Sequence, residues 1–349
     1  MTARATWLLL LLFISTLTKI QSEVLPEATA PAGFDTGGLS RASFPKGFMF
    51  GTATSAYQVE GAAGKEYGRG PSIWDTFIKF PGREPNNATG EVSVDQYHRY
   101  KAKQKGRFGI LLDFVWYEPL TRSKADNYAA QRARDFHLGW FLHPIVYGEY
   151  PKTMQNIVGE RLPKFTPDEV KMVKGSIDYV GINQYTTYYM YEPHNTKPPV
   201  PGYQNDWNVG FAYEKNGVPI GPRAHSYWLY MVPWGMYKAV TYVKEHYGNP
   251  TMILSENGMD YAGNLTFAES YHDTKRINYY KSYLIQLKKA IDDGANVIGY
   301  HAWSLLDNFE WRLGYTSRFG IVYVDYKTLK RSPKESAYWF QHMIRRNKH

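Results

Sequence analysis

Thr251-Met252-Ile253-Leu254-Ser255-Glu256-Asn257-Gly258 is a short apolar run that ends in a carboxylate and then in an Asn-Gly turn signal. The run is too short for a helix and carries no alternation, which is the pattern of a strand buried on both faces. Such a strand belongs to a parallel α/β fold, where chemistry collects at the C-terminal strand ends. Glu256 stands at one of those ends. Taken alone it reads more often as a surface Glu opening a loop, so its neighbours along the chain decide.

The same grammar recurs on both sides. Apolar runs near Phe48–Ala53, Phe108–Phe114, Ile177–Asn183 and Asn296–Trp303 read as further strands. Helical signals alternate with them. A helix is expected from about Asn127 to Leu142, stopping before Pro144. Thr166-Pro167-Asp168-Glu169 is a capping box with proline at the first helical position, and Gly175 closes that helix. Pro233 opens a helix to about His246. Asp273 caps one whose Ile277, Tyr280, Leu284, Leu287 and Ile291 step by three and four, and Ser332-Pro333-Lys334-Glu335 caps the last. Tyr191–Arg223, rich in Pro and Gly, is expected to be an excursion over the active face. The fold class is α/β, with a barrel as the leading architecture.

Composition narrows the function. With 349 residues the chain can bury a large core, and 43% hydrophobic against 21% charged residues excludes a disordered protein. The net charge of +9 invites an acidic partner, yet the one dense basic run, Lys101 to Arg107, has no nucleic-acid motif beside it. Aromatic residues make up 16%, and such rings can serve as platforms for the apolar faces of sugars. Met1–Ser22 is expected to be a secretory signal, with Arg4 before the apolar Trp7–Ile14. No stretch is long enough for a comfortable membrane span. Sequons at Asn87 and Asn264 agree with the secretory pathway, and hence with an extracellular, cell-wall or vacuolar location. Cysteine is absent altogether.

Sugar-competent groups stand at four strand ends: Gln58, Asn183 with Tyr185, Glu256, and Trp303 with Glu310 and Trp311. Amides and carboxylates bond vicinal hydroxyls in pairs, and indoles stack on pyranose rings. A lone Trp is far more often core, but the set together points to a saccharide.

Three long motifs give that set a family. They are Phe48-Met49-Phe50-Gly51-Thr52-Ala53-Thr54-Ser55-Ala56-Tyr57-Gln58-Val59-Glu60-Gly61, then Leu254-Ser255-Glu256-Asn257-Gly258, and then Trp303-Ser304-Leu305-Leu306-Asp307-Asn308-Phe309-Glu310-Trp311. The chain resembles plant β-glucosidases of glycoside hydrolase family 1 from about Phe44 to its C-terminus. The resemblance implies an eight-stranded (β/α)8 TIM barrel that hydrolyses β-D-glucosides with retention. It implies Glu256 as nucleophile and Tyr185 as the phenol that orients it. Gln58, Glu310 and Trp311 would hold glucose hydroxyls, Trp303 would lie beneath the ring, and Asn183 and Phe319 would line the pocket. His301 stands where Phe is usual, and is read as a core His with a satisfied hydrogen bond. No cofactor or metal is implied, and the partner is a small β-glucoside or oligosaccharide.

One motif is missing. A retaining glycosidase needs a second carboxyl roughly 5–5.5 Å from the nucleophile. The family carries it as Thr-Phe-Asn-Glu-Pro at the end of its fourth strand, and no such motif occurs here. Glu118-Pro119 is a lookalike that lies in the fifth-strand region. Asp95–Lys101 resembles the approach to the first helix, and Ala102–Arg107 the approach to the fifth strand. The chain therefore reads as a barrel without its second, third and fourth strands. This gives residues 1–22 as signal, 23–43 as a flexible N-terminus, and 44–349 as one barrel domain with an internal deletion near 101–105. A β-glucosidase of impaired activity, an inactive sugar-binding or regulatory splice form, and a product with no stable fold all remain open. The aglycone and the choice between glucoside and mannoside are not readable.

Overall fold

The computed structural model describes residues 33–59, 61, 72–84, 88–90, 93–94, 107–194, 200–202 and 204–345. The expected signal segment, Asn87 and the join near 101–105 lie outside the described residues. The chain divides into two units, Met1–Phe34 and Asp35–His349, and every element below belongs to the second.

Five strands form the central sheet: β1 (Met49–Thr52), β2 (Gly109–Asp113), β3 (Tyr179–Asn183), β4 (Met252–Glu256) and β5 (Val297–Ala302). Their order is β1-β5-β4-β3-β2, and every pairing is parallel. All five fall where the sequence places apolar runs. Glu256 closes β4, at the strand end where the sequence puts it. A register shift between Ile182 and Asn183 sets Asn183 opposite Glu256, and Asp113 is in turn opposite Asn183. Three neighbouring strand ends thus carry Asp113, Asn183 and Glu256 in one row.

The sheet has two unlike faces. Leu112, Val180, Ile182, Leu254 and Tyr300 are buried on one, where the Tyr300 ring meets Phe340 of the helix Glu335–Ile344. The other carries Met49 beside Gly299, His301 over Gly51, and Leu111 and Ser255 beside Gly181; each of these glycines leaves room that a Cβ would take. A closed barrel would bury this second face. Here Met49 is 39% and Leu111 52% exposed, and they sit on β1 and β2, the two edges. Among the described residues nothing pairs with the outer side of either edge. The fold is the parallel α/β architecture of a TIM barrel, left incomplete.

Helices α1 (Trp234–His246) and α2 (Thr274–Asp292) pack together beside the sheet, and α2 buries Tyr279, Tyr280, Tyr283, Leu284 and Leu287. The capping box at Thr166 and Glu169 forms as read. Three expectations change. The helix expected to stop before Pro144 runs through Lys124–Arg134, a π-type segment Asp135–Gly139, and Trp140–Tyr147, ending on Gly148 at φ +85°. Pro144 is accommodated in the part that follows the wide π turn. Asp273 does not cap α2 through its side chain. It is buried and bound instead by Arg276 and by the amide and hydroxyl of Ser336. The last helix starts at Glu335, because Ser332 and Pro333 belong to a strand and Lys334 is drawn into the core. Among the described residues no helix is long and apolar enough to cross a membrane.

Candidate active site

Glu256 ends β4, and Tyr185 lies two residues beyond β3. The Tyr185 phenol donates to Glu256 Oε2 at 2.7 Å. Its ring is fixed from behind, because the Tyr185 carbonyl accepts the phenols of Tyr279 and Tyr283 from α2, each at 2.9 Å. Asn183 Oδ1 accepts from Ser255 Oγ at 2.6 Å, which ties the two strand ends together. The Asn257-Gly258 turn is equally constrained. Asn257 donates to the Gln184 carbonyl and accepts from Tyr300, and a Cβ on Gly258 would collide with the Trp303 carbonyl. A turn residue predicted for its flexibility is needed for close approach.

The second half of the site comes from the two chain ends. Gln58, in the four-residue helix Ala56–Val59, is 1% exposed. Its Nε2 lies 2.9 Å from the Phe309 carbonyl, 3.2 Å from Asn308 Oδ1 and 3.3 Å from Glu310 Oε2. Glu310 Oε1 is buried with no hydrogen-bond partner among the described residues. A buried acceptor left unmatched marks a place for a ligand hydroxyl. Trp303 is buried nearby, and Phe319 stands edge-on to Tyr185 at 6.1 Å between ring centres.

Burial dominates the electrostatics. It raises Glu256 from 4.5 to about 7, the charge of Asp113 pushes the same way, and hydrogen bonds from Tyr185 and Asn183 oppose both. Burial and then the Glu256 charge hold the Tyr185 phenol well above its ordinary range, so it stays a donor. Glu310 is also pushed well up, by burial first and then by the Asp260 charge, with Glu256 adding to it. The Glu256 charge reaching Glu310 places both carboxyls in one low-dielectric site.

The structure brings Gln58, Asn183, Tyr185, Glu256, Trp303, Glu310 and Phe319 together. Trp311 stands somewhat apart, at φ +50°, in an aromatic cluster with Trp74 at 4.5 Å and Tyr57 at 6.2 Å. His301 Nδ1 faces the Leu254 carbonyl at 3.3 Å, and burial lowers its affinity for a proton. Glu118 is elsewhere. It lies on Trp116–Pro119, in a sheet with Thr187–Tyr191, where Lys238 Nζ meets both its oxygens at 2.7 Å and Trp116 Nε1 donates at 2.7 Å. Asn264 is exposed on a loop. Trp74 and Trp228 are aromatic neighbours that the sequence reading missed; Trp228 meets Tyr185 edge-on and stacks on Phe319. Among the described residues no cluster of His, Asp and Glu could hold a metal ion.

Glycosyl hydrolase family 1 matches residues 40–103 and again 101–349. The chain belongs to that family. β-Glucosidase 44 of Arabidopsis thaliana is 50% identical over 504 aligned residues, which take in 97% of this chain and 98% of the relative. β-Glucosidase 1 of Oryza sativa subsp. japonica is 46% identical, with 88% and 90% covered. Both aligned spans exceed the 349 residues present here, so each relative carries residues that this family member lacks. Among solved structures, a rice β-glucosidase matches with a TM-score of 0.84 at 33% identity, over 88% of this chain and 100% of the other. A variant of the same rice enzyme, in a covalent complex with Glc, matches with a TM-score of 0.83. A family 1 β-glucosidase of the fungus Humicola insolens in complex with glucose matches at 0.79 with 26% identity, over 88% and 99%. By family, this chain is a glycoside hydrolase with an incomplete barrel.

Proposed function

We propose that the chain is a β-glucosidase of the retaining type in which Glu256 is the nucleophile and the usual acid/base residue is missing. The observation that carries the reading is the Tyr185 phenol on Glu256 at a parallel strand end, 2.7 Å away. In this reading an ionised Glu256 attacks C1 of a β-glucoside and forms a glycosyl ester. Tyr185 positions it, Gln58, Glu310 and Trp311 hold hydroxyls, Trp303 lies beneath the ring, and Asn183 and Phe319 close the pocket. The family match in two pieces that meet at residues 101–103 supports an internal shortening there. The two open sheet edges agree with loss of the strands that would lie between β1 and β2. The acid would have come from the last of them. Unassisted departure of a poor leaving group costs about 10²–10⁴-fold in rate, so alkyl glucosides should be turned over poorly.

A 2-deoxy-2-fluoro glucoside with a dinitrophenolate leaving group needs no acid. Incubated with the purified chain, it should give a glycosyl adduct on Glu256 by mass spectrometry. A folded chain that forms no adduct would overturn the nucleophile assignment. The intact Gln58–Glu310 network favours a second reading, sugar binding without catalysis; stabilisation by glucose in the absence of any adduct would support it. A secreted, Asn264-glycosylated product remains part of the proposal. Peptide mapping of the natural protein tests it.

A further inference from the structure

The row Asp113, Asn183, Glu256 holds a second carboxylate that the reading above does not use. Asp113 ends the edge strand β2, one strand removed from Glu256. Two strand spacings put their Cα atoms roughly 9.6 Å apart. The Asp113 charge reaches the Glu256 carboxyl and pushes it up, so both groups face one space. Parity along the strands places Asp113 on the open face. Leu111, two residues earlier, lies beside Gly181 together with Ser255, and Ser255 bonds Asn183 on that same side. The Asp113 side chain is 57% exposed, so water reaches it. His137 Nε2 lies 3.3 Å from Asp113 Oδ2, and Tyr117 Oη lies 2.7 Å from His137 Nδ1. A phenol donating to Nδ1 leaves the imidazole proton on Nε2, aimed at the carboxylate. That contact anchors Oδ2, while Oδ1 has no partner among the described residues.

We propose that Asp113 is the general base that releases glucose from the Glu256 ester. This inference rests on Glu256 being the nucleophile. In the step, the oxygen of a water molecule bonds to C1, and the bond between C1 and the Glu256 oxygen breaks. The electron pair returns to the Glu256 carboxylate, and the water proton passes to Asp113, which later gives it to solvent. The product is β-glucose, with net retention. Asp113, open to water and anchored through Oδ2, is placed to accept a proton from that water, and no carboxyl is assigned to the leaving group, so the first step stays unassisted. The substrate class follows: β-glucosides whose leaving group departs without a proton, such as acidic phenolates and carboxylates, and not alkyl glucosides.

The test uses the full chain and Asp113→Asn with 2,4-dinitrophenyl β-glucoside in stopped flow. The parent should show a burst of one equivalent of dinitrophenolate followed by steady turnover. D113N should keep the burst rate within about threefold and lose about 10²-fold in the steady state. Azide, which needs no base, should restore its turnover and give β-glucosyl azide. An unchanged steady state in D113N, a burst slowed as much as the steady state, or no azide rescue in D113N or in Asp113→Ala would each overturn the role. A parent chain with no burst and no Glu256 adduct would instead overturn the nucleophile reading.

Discussion

Glu256 combines two demands that conflict. It must be ionised to attack, yet burial raises it to about 7, and Tyr185 recovers only part of that cost. A carboxyl whose pKa is higher folded than unfolded contributes stability that is fully present below the unfolded value. That contribution is lost as pH rises through the folded one. From 4.5 to about 7 the loss amounts to about 3 kcal/mol at 1.36 kcal/mol per pH unit. Glu256→Gln removes the ionisation, so the variant should gain about 3 kcal/mol relative to the parent between pH 4.5 and 7.5. Urea titrations at several pH values measure it, and parallel stability profiles would deny the shift. The inactivation rate by the fluoro-glucoside should rise with pH as one proton leaves, with a midpoint near 7. Tyr185→Phe takes away a hydrogen bond to a charged group, worth roughly 1.5–3 kcal/mol. It should move that midpoint upward and slow inactivation at pH 7 by about tenfold or more; an unmoved midpoint would mean that the phenol does not stabilise the charge.

At the scale of elements, the loop after β5 depends on a buried ionic knot. Asp307 accepts from Arg318 Nη1 at 2.7 Å, from Lys334 Nζ at 2.9 Å and from the Gly320 amide at 3.0 Å, with no exposure of its own. Asp307→Asn would leave Arg318 and Lys334 buried without their counter-charge, a loss of about 3–5 kcal/mol. Thermal unfolding should show it together with weaker glucose binding, because Asn308 and Glu310 hang from the same loop. A drop in melting temperature of only a degree or two would show that water replaces the carboxylate. The knot also explains what the sequence conceals. Continuous apolar runs announced all five central strands, although the edge strands β1 and β2 are partly exposed here. Asp273 and Lys334 look like helix caps in sequence, but Asp273 is bound by Arg276 one turn on and by the distant Ser336, and Lys334 by the distant Asp307. The site divides the same way. Gln58, Glu256 and Glu310 are legible because each lies in a long motif, and Asn183 and Tyr185 because they stand at the end of an apolar run. Trp74 sits in the short helix Ile73–Phe77 and Trp228 in a turn, with no spacing to mark either, and Asp113 gains meaning only from the register of β2 against β3.

At the scale of the whole molecule, five parallel strands make a sheet that does not close among the described residues. β1 and β2 end it with unpaired outer sides among the described residues, and Leu111 adds a half-exposed apolar side chain to one edge. Such an edge is a template for another chain, and natural proteins blunt it with charge, most often lysine. Leu111→Lys therefore separates two effects. The lysine stem can still lie across Gly181, with its ammonium in water, so the folded state should lose little and the melting temperature should move by only a few degrees. Edge-to-edge association should fall, because two copies would bring like charges together. Light scattering at 37 °C should grow several-fold more slowly in the variant than in the parent, and added salt should narrow the gap as screening shortens the repulsion. Equal aggregation rates at low and high salt would show that the chains do not meet along β2. The remaining route would then be the β1 edge, where Met49→Lys is the matching substitution.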